Sequence, residues 1–452
     1  MSFYIKSLFF AIPIFTILII IEAIIAKRKD LQINRAADVI ASLSSGLTKT
    51  IRDGIKFGFT IIGYSWLVTN MTIYKLEPIW LAVIIAFVVQ DFTGYCIHRL
   101  KHRVNILWNR HIIHHSSEEF NLSCALRQSI SNTIDFSAIF MVPAALLGVP
   151  TKIFAILGPL HFFFKFWYHT QLIGKMGFLE YILVTPSHHR VHHAINPEYI
   201  DKNYSQILIF WDKLFGSFQP ELDDVKPVYG TLKPVRTWNP VIINFKVMWQ
   251  LIKDAWRAER ILDKLRIWFM PTGWRPPDVI EKFPLHEITN PKKRVKYHTE
   301  NSKLLVTYSW TQIIILNILM FHMLTIVPSY NVTMCYVYAA MLLVSIFSFT
   351  SILDHRNYAL MAESLKLSLG FSLLYYQDYS WFGLSGFYVY VLIFYFIISF
   401  LLTYYFQNEI KISSIRPDPA QVNFKNNYWP GITVMYSNLK LMHITRYIII
   451  DK

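Results

Sequence analysis

Residues 91–115 read DFTGYCIHRLKHRVNILWNRHIIHH, and residues 187–193 read SHHRVHH. Side chains three or four apart share a helical face. His98 and His102 therefore project together, as do His111 with His114 and His115, and His188 and His189 with His192 and His193. Each group is a clamp. With His161 and His169 between them, 11 of the 16 histidines fall between His98 and His193, where an even spread would put about three. A lone histidine such as His161 reads as an ordinary core residue, but three successive clamps do not.

Imidazole is the commonest side-chain metal ligand and suits iron, zinc or copper rather than magnesium or calcium. The boxes offer eight nitrogens, from His98, His102, His111, His114, His115, His189, His192 and His193. One four-coordinate zinc cannot use eight ligands, so two metals are expected. Just upstream, Asp91, Tyr95, His98 and His102 form one helical stripe. It places Asp91 either to orient a ligand imidazole or to pair with Arg99.

Outward from the boxes the chain turns apolar. It has 452 residues, 54% of them hydrophobic, and a positive mean hydropathy. This composition excludes an ordinary soluble protein and implies a polytopic membrane protein. Residues 9–26 are long enough to cross a hydrocarbon core, and no cleavage site precedes Lys27, so they read as an uncleaved anchor. Lys27, Arg28, Lys29, Arg35, Lys49, Arg52 and Lys56 mark the next loop as cytoplasmic by the positive-inside rule, which puts the N-terminus outside.

Residues 57–68 give a short, partly re-entrant segment, and 78–95 a span that delivers His98 to the inner face. Residues 134–167, interrupted by Pro143, Gly148 and Pro150, suit two spans joined by a tight turn. All clamps then lie on one side. Residues 194–303 read as a cytosolic cap over the metal site, which Asn203, Trp211 and Asp212 lock onto the core. Further spans are expected at 305–327, 335–353, 365–376 and 384–406, with an inner turn at Asp354, His355 and Arg356. The basic C-terminal tail (Lys411, Arg416, Lys425, Lys440) is expected in the cytoplasm, and His322 to serve helix packing.

The fold class is therefore all-α, a polytopic integral membrane protein with a histidine-rich di-metal site on the cytosolic side under a cytosolic cap. Its parts are N-terminal spans (1–76), a catalytic core with the three boxes (77–218), cap and linker (219–303), and a C-terminal transmembrane region and tail (304–452). The net charge of +15 fits membrane flanks and anionic headgroups; no nucleic-acid motif accompanies it. Cys96, Cys124 and Cys335 form no CxxC pair and no disulfide framework.

A zinc hydrolase needs few ligands and a carboxylate base. Here neutral nitrogens would leave iron its charge and its capacity to activate dioxygen, where acyl chains meet the cytosol. Oxidation of a lipid chain fits better than hydrolysis. Glu118, Glu119, Asn121 and Arg127, just after the second box, are candidates for catalytic, headgroup or cofactor contacts, Glu118 and Asn121 foremost.

HxxxH, HxxHH and HxxHH, within the strings quoted and TPSHHRVHHAINPEYIDKNY (185–204) and IFWDKLFGSF (209–218), resemble the fatty acid hydroxylase and sterol desaturase superfamily, and within it the ether-lipid monooxygenases. The resemblance is densest over 91–218 and continues loosely through GWRPP (273–277) and SILDHRNYALMAESLK (351–366). It implies two iron ions held by the eight box histidines with His169 and His188 as ninth and tenth. It also implies tetrahydrobiopterin as reductant, and cleavage of 1-O-alkylglycerols and lyso-ether lipids to a fatty aldehyde and a glycerol derivative.

Ser205 stands where that family tends to have glycine, and Lys165 where glutamine is usual. Expected partners are a bilayer lipid, dioxygen and a diffusible reductant or electron-donor protein, in a bacterial inner membrane or the endoplasmic reticulum. A sterol or fatty acyl hydroxylase or desaturase with the same metal site is the sibling alternative. A metal transporter or sensor fits less well, because the clamps fall at or beyond the inner span ends rather than along a path through them.

Overall fold

The computed structural model describes residues 3–56 and 59–415; the tail charges Arg416, Lys425 and Lys440 fall outside them. Helix α1 (Phe3–Arg28) is apolar but for Lys6, Glu22 and its basic end. Glu22 is buried and ties the helix to the histidine region: one carboxylate oxygen accepts the Thr170 hydroxyl at 2.5 Å, the other the Leu122 N–H at 2.7 Å.

The expected loop after α1 is mostly helix. In α2 (Ala36–Gly54), Ile40, Leu47 and Ile51 follow a helical period and are buried in the main core. Asp38, Ser42, Ser45, Lys49 and Arg52 recur on the opposite face, which packs toward the histidines. Its abundant serine and threonine lower its hydropathy, and most of these hydroxyls donate to the carbonyl four residues back. Lys49 and Arg52 thus face a cavity instead of marking a loop.

Phe59–Thr60 pairs in parallel with Ile134–Asp135, and α3 (Tyr64–Met71) has only eight residues, so this segment is short as expected. Helix α4 (Ile79–Arg103) runs unbroken through the first box. Two single turns, α5 (Asn105–Trp108) and α6 (Ile112–His115), carry the chain through the second.

The two spans expected over 134–167 are replaced by a hairpin of shorter pieces. An apolar helical stretch over Ser137–Leu146 ends in α7 (Val142–Leu146), and α8 (Thr151–Phe166) follows. Gly148, at φ +63°, makes the turn. Neither arm reaches the ~20 residues of a typical crossing; the longer, α8, has 16. Instead Ala144, Val149, Ile153 and Leu157 bury themselves against Ala82 and Ala86 of α4.

Short helices α9 (Pro186–His192) and α10 (Phe210–Leu214), the 18-residue α11 (Pro240–Arg257), and short α12 (Ile261–Arg266) and α13 (Pro277–Lys282) punctuate the polar middle. The bundle of α14 (Lys303–Ile326), α15 (Val332–Leu353), α16 (Ala359–Tyr376) and α17 (Phe387–Ile415) completes the chain. Asp354, in the turn after α15, joins middle to bundle: it accepts the Trp238 N–H at 3.0 Å and the Tyr297 hydroxyl at 2.7 Å. His322 meets the Tyr338 hydroxyl at 3.1 Å, the packing contact expected of it. Gly370 lets α16 approach α17, since a Cβ there would stand 2.6 Å from the Phe396 ring.

Among the described residues, α1, α4, α14, α15 and α17 are long and apolar enough to span a membrane. The protein is an integral membrane protein. Helix α16, with Glu363 and Lys366 inside it, is not one of the five.

Candidate metal centre

Nine imidazoles converge into two groups. His98, His102, His111, His115 and His192 form one; His114, His169, His189 and His193 form the other. The α4 clamp and the second box face each other directly. His98 Nε2 lies 2.9 Å from His111 Nε2, and His102 Nε2 lies 3.1 Å from His115 Nε2.

The second group closes into a ring of Nε2 atoms. His114 is 3.3 Å from His169, His169 2.9 Å from His189, His189 3.0 Å from His193, and His193 3.1 Å from His114. Nitrogens sharing one ion at a bond length of about 2.1 Å lie about 3.0 to 3.4 Å apart in octahedral or tetrahedral geometry, so both groups have the dimensions of a metal site.

The surroundings fix the tautomers. His98 Nδ1 lies 2.7 Å from the Tyr204 carbonyl, His114 Nδ1 3.2 Å from that of Arg127, and His192 Nδ1 3.0 Å from that of Lys202. A carbonyl only accepts, so each Nδ1 carries the proton and each Nε2 presents its lone pair inward. Burial first, and the neighbouring imidazoles second, hold His111, His114, His115, His189 and His193 well below the ordinary imidazole range. His192 is depressed in the same way, and burial pushes His169 down to about 3. The groups are neutral ligands at physiological pH.

His188 stands apart from both groups. Thr185 caps α9 by accepting the His188 N–H, and His188 Nδ1 turns back to accept the Thr185 N–H at 3.4 Å. The ring also packs edge-on against Phe218 at 5.5 Å. It thus does the work that glutamate or glutamine does in a capping box, and the tenth ligand expected from resemblance is a helix cap instead.

Asp91 likewise does not reach a ligand imidazole. It accepts the N–H groups of Ile207 and Leu208 and the Trp211 indole at 2.9 to 3.1 Å. Asp212 accepts the N–H groups of Tyr204 and Ser205, both at 2.8 Å. Asn203 donates to the carbonyls of His188 and Gln219. Asn203 and Trp211 thus make the locking contacts expected of them, to His188 and Asp91, whereas the Asp212 carboxylate bonds only within its own segment, to Tyr204, Ser205 and Ser217.

Glu118 and Asn121 are directed away from the histidines. Glu118 accepts the Tyr297 N–H at 2.6 Å and sits 3.7 Å from Arg35. Asn121 caps the turn Leu122–Leu126 and donates to the Ile33 carbonyl at 2.5 Å. Glu119 pairs with Arg35 and Lys296; Arg127 pairs with Asp38 at 2.8 Å. All four are committed to structural bonds. His161 bonds its own helix at the Leu157 carbonyl and joins neither group.

One space adjoins the histidines, and a second adjoins the first. A polar cavity of about 220 Å³ touches His98, His111, His114, His169 and His189. An apolar groove of about 960 Å³ runs between α1, α2, α8 and α14. Lys49, Gln128 and Phe162 line both. The sequence shows Lys49 and Arg52 as loop charges and Lys165 as a departure from the usual glutamine, but their convergence with Lys101 and Arg110 on one cavity appears only in the fold.

A helical membrane protein with two buried all-imidazole groups at the end of a lipid-facing groove has the form of a membrane lipid oxygenase. The family model for fatty acid hydroxylases matches residues 83–217. Three relatives are alkylglycerol monooxygenases. The human protein is 35% identical over 68% of each chain, the Danio rerio protein 39% over 59% of each, and the Xenopus tropicalis protein 33% over 81% of each. The chain belongs to the alkylglycerol monooxygenase family. No solved structure matches it.

Proposed function

We propose that this monooxygenase cleaves the ether bond of 1-O-alkylglycerols and lyso-ether lipids, using two iron ions and tetrahydrobiopterin. One observation carries the reading: two buried imidazole groups meet, through a small polar cavity, an apolar groove in the membrane-spanning part. His98, His102, His111, His115 and His192 would hold one ion, and His114, His169, His189 and His193 the other. Bound iron with neutral nitrogen ligands supplies the power to activate dioxygen and oxidise an unactivated C–H bond.

The chain's own residues position the substrate. The groove walls of α1, α2 and α8 take the alkyl tail, and Phe162 sits where the tail enters the cavity. That path presents the carbon beside the ether oxygen to the histidines. The carbonyls of Tyr204, Arg127 and Lys202 hold three imidazoles in place, and Phe120 and Tyr168 wall off water beside His169 and His189. One oxygen atom of O₂ enters the C–H bond; the other leaves as water, with two electrons and two protons from the reductant. The resulting hemiacetal collapses to a fatty aldehyde and a glycerol derivative. We place this chemistry on the cytosolic side, because Lys27 to Lys29 follow the first span.

The test is aldehyde release from a 1-O-alkylglycerol by membranes carrying the wild type or His192→Ala, with oxygen, with and without tetrahydrobiopterin. Aldehyde from the wild type with pterin alone supports reaction and reductant together. A retained alcohol or alkene in place of aldehyde would move the protein to the acyl or sterol hydroxylases and desaturases.

A further inference from the structure

We propose that the polar cavity beside the histidines is a binding site for a phosphate monoester. Five cations line it from four segments: Lys49 and Arg52 on α2, Lys101 on α4, Arg110 on the turn after α5, and Lys165 on α8. No carboxylate lines it. A sixth cation there, Arg127, is already neutralised by Asp38.

The surrounding protein balances the five only in part. Asp53, just outside, pairs with both Lys49 and Arg52. Arg110 is steered by neutral oxygens, the Ile134 carbonyl at 2.8 Å and Asn132 Oδ1 at 3.3 Å. Among the described residues, the ammonium groups of Lys101 and Lys165 make neither a hydrogen bond nor an ion pair. Farther out, Asp135 acts on Lys101 and Arg110, and Asp91 on Lys165. Five positive charges therefore face three carboxylates, none of which lines the cavity.

Positive charge collected beside an apolar groove is unfavourable until an anion compensates it. The histidines cannot do so, because they are neutral donors, and metal ions bound to them add further positive charge. An anionic ligand would supply the remaining compensation. Lysine ammoniums and arginine guanidiniums arranged on several sides of one space suit a tetrahedral oxyanion with several acceptor oxygens. The excess of positive charge favours a dianion and disfavours a headgroup that carries its own ammonium.

Lys49 and Gln128 border both the cavity and the groove, so a phosphate here can remain joined to a tail lying there. This inference rests on the lipid-oxygenase reading of the site. It narrows the substrate to alkylglycerols bearing a terminal phosphate, in preference to uncharged or zwitterionic ones.

Binding tests it without turnover. The full-length, metal-loaded protein in nanodiscs, without oxygen or reductant, is titrated with 1-O-alkylglycerol 3-phosphate, uncharged 1-O-alkylglycerol, the phosphocholine analogue and inorganic phosphate. The phosphate monoester is expected to bind at least about tenfold more tightly than the uncharged and zwitterionic lipids. In Lys165→Gln and Lys101→Gln that ratio should fall toward one, and Lys165→Arg should restore it.

Lysine-dependent binding of inorganic phosphate, with no advantage for the phosphate lipid over the uncharged one, would keep the oxyanion site but assign it to free phosphate. The proposal is overturned if neither phosphate species gains from the lysines, or if the glutamine variants weaken all lipids alike. Because no aldehyde is measured, failure of ether cleavage with phosphate binding intact would sink the proposed reaction alone.

Discussion

His193 Nε2 stands 3.1 Å from His114 Nε2 and 3.0 Å from His189 Nε2, which makes it the corner joining the second and third boxes. His192, its neighbour in sequence, belongs to the other group. Adjacent residues on one short helix thus serve different sites. His193→Ala and His192→Ala should each lower the metal content from two ions toward one per chain, and His98→Ala combined with His193→Ala should remove both. Elemental analysis of purified protein reads this directly. Loss of both ions in each single variant would mean one shared cluster, and retention of two in either would remove that histidine from the ligand set.

Asp212 supports the first group at one remove. Its carboxylate accepts the N–H groups of Tyr204 and Ser205, and the Tyr204 carbonyl in turn holds His98 Nδ1. Asp212→Ala strands two buried donors, at about 1 to 3 kcal/mol each. The variant should melt at a lower temperature and lose metal from the His98 group before the His114 group. Thermal denaturation beside metal analysis checks this; a fully metallated, active variant of unchanged melting temperature would refute it.

The histidine clamps were legible because helical spacing and residue chemistry coincide in them: His98 and His102 share a face of one unbroken α4, and nine of the ten expected ligands meet in two groups. Spacing could not reveal His188, whose position shares a face with His192 but whose ring is turned back to cap α9. Helix α2 was obscured because the stripe from Asp38 to Arg52 resembles a charged loop, and only its packing shows those residues facing inward. The break at Gly148 was readable, whereas the shortness of the two arms was not, since apolar residues packing on α4 look like apolar residues facing lipid. Lys101 and Lys165 are 64 positions apart, and a cavity between them is tertiary information.

Acid should destabilise the metal-free protein. His169 has a folded pKa of about 3 against an ordinary 6.5. Between those values the unfolded chain binds a proton that the folded chain does not. The stability associated with neutral His169 is therefore fully present above about pH 6.5 and is lost as pH falls toward 3, with a slope of about 1.4 kcal/mol per pH unit. The melting temperature of the metal-free protein should drop between pH 7 and pH 5, and His169→Gln should flatten part of that drop. A melting temperature independent of pH over this range would contradict the burial argument.

Far from the histidines, Lys366 Nζ lies 2.5 Å from Glu363 Oε1 and 2.5 Å from Ser399 Oγ, and both charged side chains are fully buried in the C-terminal bundle. Ser348 donates to the same glutamate, and Lys366 also faces the Tyr395 ring at 4.8 Å. The pair joins α15, α16 and α17 where neither water nor a second counter-ion can replace a missing partner. Lys366→Met leaves the buried Glu363 carboxylate without a counter-charge and should destabilise the protein by about 3 to 5 kcal/mol. Glu363→Gln with Lys366→Met removes both charges, and the double variant should recover most of that loss, because desolvating the pair consumes much of its attraction. Denaturation of the two single variants and the double variant forms a complete cycle. If the double variant is as unstable as the singles added together, the two residues act independently and the ion pair does not hold these helices in register.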